Sequence, residues 1–397
     1  MTGCLLPIPI QQIFFPNLAI YSTDSVTCDL SIPNSMTYFS PDYFTARSRW
    51  RSAASLLSCR LESHQIEAPS PINQPLTIDV AFLGNPLAPK TVVISSGLHG
   101  VEGLFGSAVQ LALLDRYLTS DLLSPDLSIV MIHMLNPFGC AWYRRWNEDN
   151  VDLNRNFLVG DEVYQGCPPA YPLLNDFLNP QSPPTRFEPF LLKSLTLINR
   201  YGMPTLKNTL PVGQYEFPQG LFFGGNTRSQ TQQILTAHLR RWLGLSQQVF
   251  HLDLHSGLGK WGDYQLFSNL IKDSPRYQWL SRYFNNNQIL TSNSEKSVYQ
   301  PRGNLGNWCK SSFADLTYDF LLAEFGTYSM LRVLKALRAE NRAHWWGQPE
   351  DKSARDAKRE LLEVFVPKSQ RWRTGVLQQG IDLCLAGIEA MNESIVG

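Results

Sequence analysis

Six apolar, β-branched runs constrain this fold more than any other feature: "LTIDVAFL", "TVVISS", "SIVMIHML", "VFHLDLH", "DYQLFS" and "LTYDFLLAEF". Several are apolar on both faces, which suits strands in the middle of a covered sheet, since a strand facing water on one side alternates with period two. Helical patterns lie between them at 103–118, 186–201, 229–243, 275–285 and 327–345, with another pair from about 354 to the end. Strands and helices in this order predict an α/β layered fold. At 397 residues, 43% of them hydrophobic, the chain is long enough for one large core. The stretch 158–228 departs from the pattern, being rich in proline, glycine and aromatics ("GCPPAYPLLNDFLNPQSPP", "PVGQYEFPQGLFFGGN"). It reads as a loop-rich insertion within a single domain spanning 36–397, with loops free to cover a site at the sheet's edge.

Charge argues against a nucleic-acid partner. The 34 basic residues balance 34 acidic ones, and no basic run is long enough to form a stripe. Seven cysteines are scattered with no C-x-x-C pair, which fits reduced thiols and a cytoplasmic protein better than a disulfide framework. No lysine or arginine precedes Arg47, and Pro7, Pro9 and Pro16 interrupt the apolar run near the start. That pattern lacks the basic region of a secretory signal and is too broken to span a bilayer. Residues 1–35 are expected to be a poorly ordered leader, with Met36 a candidate natural start.

In open α/β sheets the functional crevice lies beyond the carboxyl ends of the strands, so polar residues just after the strand-like runs are the ones to collect. They are His99 and Glu102 after "TVVISSG", the string "NPFGCAWYRRWNEDNVDLNRNF" after "SIVMIHML", His255 after "VFHLDL", and Glu324 near the end of "LTYDFLLAE". Zinc chemistry needs about three nitrogen or oxygen ligands and one open position. His99, Glu102 and His255 supply two imidazoles and a carboxylate, and glycines beside His99 let the backbone turn so that both side chains converge. Read alone, H-x-x-E is equally a loop histidine and a charge at a helix N-terminus. In extended chain His251, Asp253 and His255 share a face, as a hydrogen-bonded row or a rival ligand set. His255 heads that run where the chain leaves the sheet at "SGLG". The nearby "GLGKWG" matches G-x-G-x-x-G, yet strand-like "DYQLF" follows where a dinucleotide site needs a helix.

The ordered set is more specific than any member. H-x-x-E, then N-P-x-G with arginines and D-x-N-R-N-aromatic, then a strand ending His-Ser, a tyrosine and a late-strand glutamate together resemble the zinc carboxypeptidase superfamily. The resemblance covers roughly 75–330, with 152 residues between Glu102 and His255 and 68 between His255 and Glu324. It implies a mixed β-sheet flanked by helices on both faces, a zinc carboxypeptidase-like, phosphorylase/hydrolase-like sandwich, with one Zn2+ per chain at the strands' carboxyl ends.

By the same resemblance His99, Glu102 and His255 are the metal ligands, and Asp152 in "VDLNR" orients the His99 ring. Glu324 matches the general base, which takes a proton from the attacking water. Asn154 and Arg155 match the pair that holds a substrate's terminal carboxylate. The arginine that steadies the oxyanion is Arg144 or Arg145, with Arg145 favoured and Arg144 kept as substrate-binding. Tyr299 in "SVYQPRGNLGNW" resembles the mobile tyrosine that closes over substrate, and the "YEFPQGLFFGGN" loop is a candidate lid.

The expected activity is zinc-dependent, metallocarboxypeptidase-like hydrolysis of an amide beside a free carboxylate, on a peptide or acylated amino acid. Aspartoacylase and succinylglutamate desuccinylase share the H-x-x-E, D-L-N-R and late-glutamate pattern, so an N-acyl amino acid amidohydrolase is the alternative. A catalytically silent binding protein on the same fold is the reading from another class.

Overall fold

A computed structural model describes residues 35–119, 122–185, 188–202, 205–206, 209, 212–268, 270–291 and 301–393. Apart from Ser35, the expected leader lies outside these residues, and so does Tyr299. Eight strands form one sheet: β1 (Arg60–Ile66), β2 (Leu76–Gly84), β3 (Lys90–Ser96), β4 (Leu127–His133), β5 (Gln248–Gly257), β6 (Tyr264–Ser268), β7 (Ile289–Thr291) and β8 (Thr317–Gly326). Their order is β1-β2-β4-β3-β5-β8-β6-β7. The central four, β4, β3, β5 and β8, are parallel. On one flank β2 and β1 add antiparallel, and on the other β6 runs antiparallel to β8 with β7 parallel to β6. The sheet is therefore mixed, as the motif set implied.

The longer helices are α1 (Tyr43–Leu56), α2 (Gly103–Ala112), α3 (Phe190–Tyr201), α4 (Gln230–Trp242), α5 (Leu305–Ser312), α6 (Met330–Trp346), α7 (Lys352–Phe365) and α8 (Gln370–Asn392). Their starts follow from side-chain caps. Ser229 accepts a bond from Gln232 N at the head of α4, and Asp42 does the same for Thr45 N at α1. Leu235, Leu239 and Trp242, spaced by four and three, turn one stripe of α4 onto the sheet. There they join Val93, Val249 and Phe320 from the strands and Leu305, Trp308 and Cys309 from α5. The other face is covered by α2 and α8, which approach so closely that a Cβ on Gly106 would lie 2.4 Å from Ser96 Cβ, and one on Gly387 2.4 Å from the Phe250 ring. Helices thus cover both faces. Among the described residues no helix is long and apolar enough to cross a membrane.

From β3 the chain passes to β4 on one side and later returns to β5 on the other. This reversal opens a crevice at the carboxyl ends of β3 and β5. The insertion at 158–228 contributes a short helix at Tyr171–Leu178 and α3. Its "YEFPQGLFFGGN" aromatics are largely packing, since Tyr215, Phe222 and Phe223 are buried.

Two buried histidines predict the acid response of this core. His133 at the end of β4 stacks on Trp50 with ring centroids 4.9 Å apart, and burial pulls its pKa down to about 4. Burial does the same to His251 in β5. Both rings are neutral in the fold but titrate near 6.5 once unfolded. Their contribution is complete above about pH 6.5 and is lost as pH falls toward about 4, because only the unfolded chain takes up the protons. The loss is on the order of 3 kcal/mol for each ring at the full shift. The urea midpoint, measured with chelator present, is expected to fall steadily across this window. A midpoint flat from pH 6.5 to 4.5 would contradict the neutral, buried assignment.

Candidate metal centre

The H-x-x-E turn is held rigidly by its glycines. Gly97, just past β3, has φ +70°, a left-handed turn that suits a residue without Cβ. Gly100 is required for a different reason: a Cβ there would lie 2.3 Å from the backbone of Gly139. That contact lets Gly100 N donate to Arg145 O at 3.1 Å and Val101 N to Arg144 O at 2.8 Å. Residues 97–102 and the segment carrying both arginines are therefore one packed unit.

His99, Glu102 and His255 converge, each with a ligand atom within 4.8 Å of the others, and all three are buried. His99 Nδ1 lies 2.9 Å from Glu102 Oε1, and His255 Nδ1 lies 3.1 Å from Glu102 Oε2. The two Nδ1 atoms are 3.3 Å apart. Each ring's far nitrogen meets a carboxylate: His99 Nε2 is 3.2 Å from Asp152 Oδ1, and His255 Nε2 is 2.6 Å from Asp253 Oδ2. For His255 this partner places a ring proton on Nε2 and turns Nδ1 toward the cluster, while His99 Nε2 faces both Asp152 and the Arg145 guanidinium. Two imidazoles and a carboxylate in this arrangement fit a divalent zinc-type cation.

Electrostatics point the same way. Burial alone would raise the Glu102 pKa, but His99 and His255 hold it well below the usual carboxylate range. Burial likewise opposes ionisation of Asp152, and Arg145, Arg155 and His99 overcome it. Asp253 is kept ionised against burial mainly by His255, whose own pKa rises well above its ordinary value through Asp253 and Glu102. The site thus carries three ionised carboxylates, and cation binding there would displace the His255 proton.

The two arginines separate cleanly. Arg145 Nε donates to Asp152 Oδ2 at 3.0 Å and Nη1 to Glu102 Oε1 at 3.2 Å, while Nη2 lies 2.7 Å from His99 Nε2. Arg144, expected at the substrate, points away. Its guanidinium is fully buried, with Nε 3.0 Å from Glu340 Oε1 and Nη2 2.8 Å from Asn150 Oδ1. This corrects the substrate-binding expectation for Arg144: it fastens the arginine segment to α6, where Glu340 also takes Lys358 of α7 at 2.9 Å.

Glu324 on β8 pairs in register with His255 on β5, so both side chains leave the sheet on one face. Its Oε1 accepts from Leu258 N at 2.8 Å. Burial first, and then the Glu102 charge, push its pKa up to about 7 against the pull of His255. No lysine or arginine pairs with it among the described residues.

Asn154 and Arg155 follow Asp152 on a 3₁₀ turn, and both are nearly buried. Asn154 Oδ1 accepts from Leu305 N at 3.1 Å, at the head of α5, and Arg155 Nη1 donates to Asn154 O at 2.8 Å. Phe222 of the insertion, at φ +61°, sits 6.0 Å from the Arg145 guanidinium, so the insertion does reach the site. Arg302 is tied to the carbonyls of Gln165 and Val163. Asp253 is the residue that sequence reasoning placed among rival ligands and the structure places behind His255; its period-two spacing from His255 was the available signal.

No curated protein matches the sequence. Among solved structures, the chain is similar to murein-tripeptide amidase MpaA from Escherichia coli O157, at 21% identity over 73% of this chain and 93% of that one, with a TM-score of 0.36. It is also similar to carboxypeptidase A from Helicoverpa armigera, at 13% identity over 81% and 73%, with a TM-score of 0.44. Bovine thrombin-activatable fibrinolysis inhibitor gives 11% identity over 89% and 98%, also with a TM-score of 0.44. Likenesses this distant assign no activity. A family match, in contrast, spans residues 39–379, and by it the chain belongs to the family described as protein of unknown function DUF2817.

Proposed function

We propose that this chain is a zinc-dependent, metallocarboxypeptidase-like hydrolase that cleaves an amide bond beside a free carboxylate. The observation that carries the reading is the convergence of His99, Glu102 and His255, with Glu324 in strand register beside His255. A binding protein has no use for a buried, unpaired glutamate at that position, whereas a hydrolase needs a base there. When bound, zinc supplies Lewis-acid polarisation of the substrate carbonyl and lowers the pKa of water.

The remaining chemistry belongs to the chain. Glu324 removes a proton from the attacking water and delivers it to the leaving amine. His99 would hold the cation through Nδ1, and its Nε2 would then donate to Asp152. Arg145, whose guanidinium lies beside His99 and Glu102, is the group assigned to the negative charge that develops on the carbonyl oxygen. Asn154 and Arg155 are the groups assigned to the substrate's carboxylate, and Tyr299 to closure over it.

The test is a substrate panel offered to zinc-loaded protein: blocked dipeptides, their carboxamides, and N-acetyl and N-succinyl amino acids, with the released amine measured. Cleavage of dipeptides but not of their carboxamides is expected. Cleavage of the acyl amino acids alone would replace the reading with an amidohydrolase. No cleavage of any of them by protein holding stoichiometric zinc would favour a silent binding protein.

A further inference from the structure

Behind His255 a line of polar side chains runs through the sheet's apolar face. Asp253 accepts from His255 Nε2 on one oxygen, and its other oxygen, Oδ1, accepts from Ser95 Oγ at 2.6 Å. Ser95 lies opposite Asp253 in the register of β3 and β5. Having given its only proton to Asp253, the Ser95 hydroxyl can meet His251 Nε2, 2.7 Å away, only as an acceptor. That puts the His251 proton on Nε2 and leaves Nδ1 to accept from Tyr318 OH at 2.9 Å. Every bond has one direction, set by the ionised Asp253.

All of these residues are buried, none more than 5% exposed. Their surroundings are Val93, Val249, Leu305 and Phe320, where apolar side chains would serve the core without any polar desolvation cost. Burial holds His251 neutral, as the bond directions require.

We infer that Ser95, His251 and Tyr318 are positioning residues for the metal centre: they fix the Asp253 carboxylate so that His255 presents Nδ1 to the cation. None of the three touches metal or substrate. Ser95 blocks rotation of Asp253 by occupying its second oxygen, and Tyr318 and His251 keep the serine hydroxyl aimed. The inference rests on the zinc reading above, and it extends the support of one ligand about four residues deep into the sheet.

The test uses the full chain and zinc alone as the probe. Zinc dissociation constants are measured by chelator competition for the unaltered protein, Ser95→Ala and Tyr318→Phe, alongside melting temperatures of the metal-free forms. Nitrogen NMR of the metal-free protein reads the His251 tautomer. Weakening of zinc by about tenfold in Ser95→Ala and about threefold in Tyr318→Phe is expected, in proteins that still melt cooperatively. The unaltered protein should carry the His251 proton on Nε2. Affinities within about twofold of the unaltered chain in both variants would overturn the inference while leaving the metal site standing, since a merely structural role lowers melting temperature alone. So would a His251 proton on Nδ1. An unaltered chain that takes up no zinc would overturn the hydrolase reading and this inference with it.

Discussion

Glu324→Gln is expected to keep its zinc and lose activity, with kcat lowered by about 10² to 10⁴-fold. The amide has nearly the shape of the carboxylate and can still accept from Leu258 N, so the fold and the three ligands are undisturbed. What it lacks is a lone pair basic enough to take a proton from water. The carboxylate suits that task because burial and Glu102 push its pKa up to about 7, close to neutral operation. The sign follows directly. Glu324 must be ionised to act, so activity rises with pH through its pKa, and a cation bound nearby moves that acidic limb to pH 7 or below. Measuring kcat and zinc content together checks both halves. A variant that keeps its zinc and stays within about tenfold of the original kcat would place the base elsewhere.

The second large effect is expected at His255→Ala, which removes one of the three proposed ligands and the imidazole that pairs with Asp253. Two ligands do not hold zinc against ordinary competition, so metal is expected to be absent from the purified variant. The loss extends beyond the metal. Asp253 and Glu102 are buried, and each is kept ionised partly by His255. Without the imidazole both become costly, and the variant is also expected to melt below the metal-free parent. Glu102 retains Arg145 and the Ser256 amide, so the fold itself should survive.

How much of this could be read from residues alone depended on where each signal lay. The central strands were legible because burial on both faces leaves long apolar runs such as "TVVISS". Strand β1 was not: "RLESHQI" is an edge strand in which only Ile66 is fully buried, so it carries no apolar run. Strand β7 is only three residues long and carries no period at all. The cluster of His99, Glu102 and His255 was legible because its members close strands or follow them directly. The choice between Arg144 and Arg145 was not, since it is made by Glu340, which lies 196 residues from Arg144 in sequence. The glycines around His99 were recognised as necessary, but Gly100 serves close packing against Gly139, a contact invisible in the local sequence. Asp253 was seen in its row, yet its part depended on the direction of the His255 ring.

The central claim is that His99, Glu102 and His255 form a zinc site, and elemental analysis tests it most directly. The intact protein and His255→Ala, purified in parallel and each supplied with zinc, are expected to hold about one zinc per chain and none, respectively. An intact chain that retains no metal after zinc is supplied would contradict the account, and so would a variant that binds as much zinc as its parent.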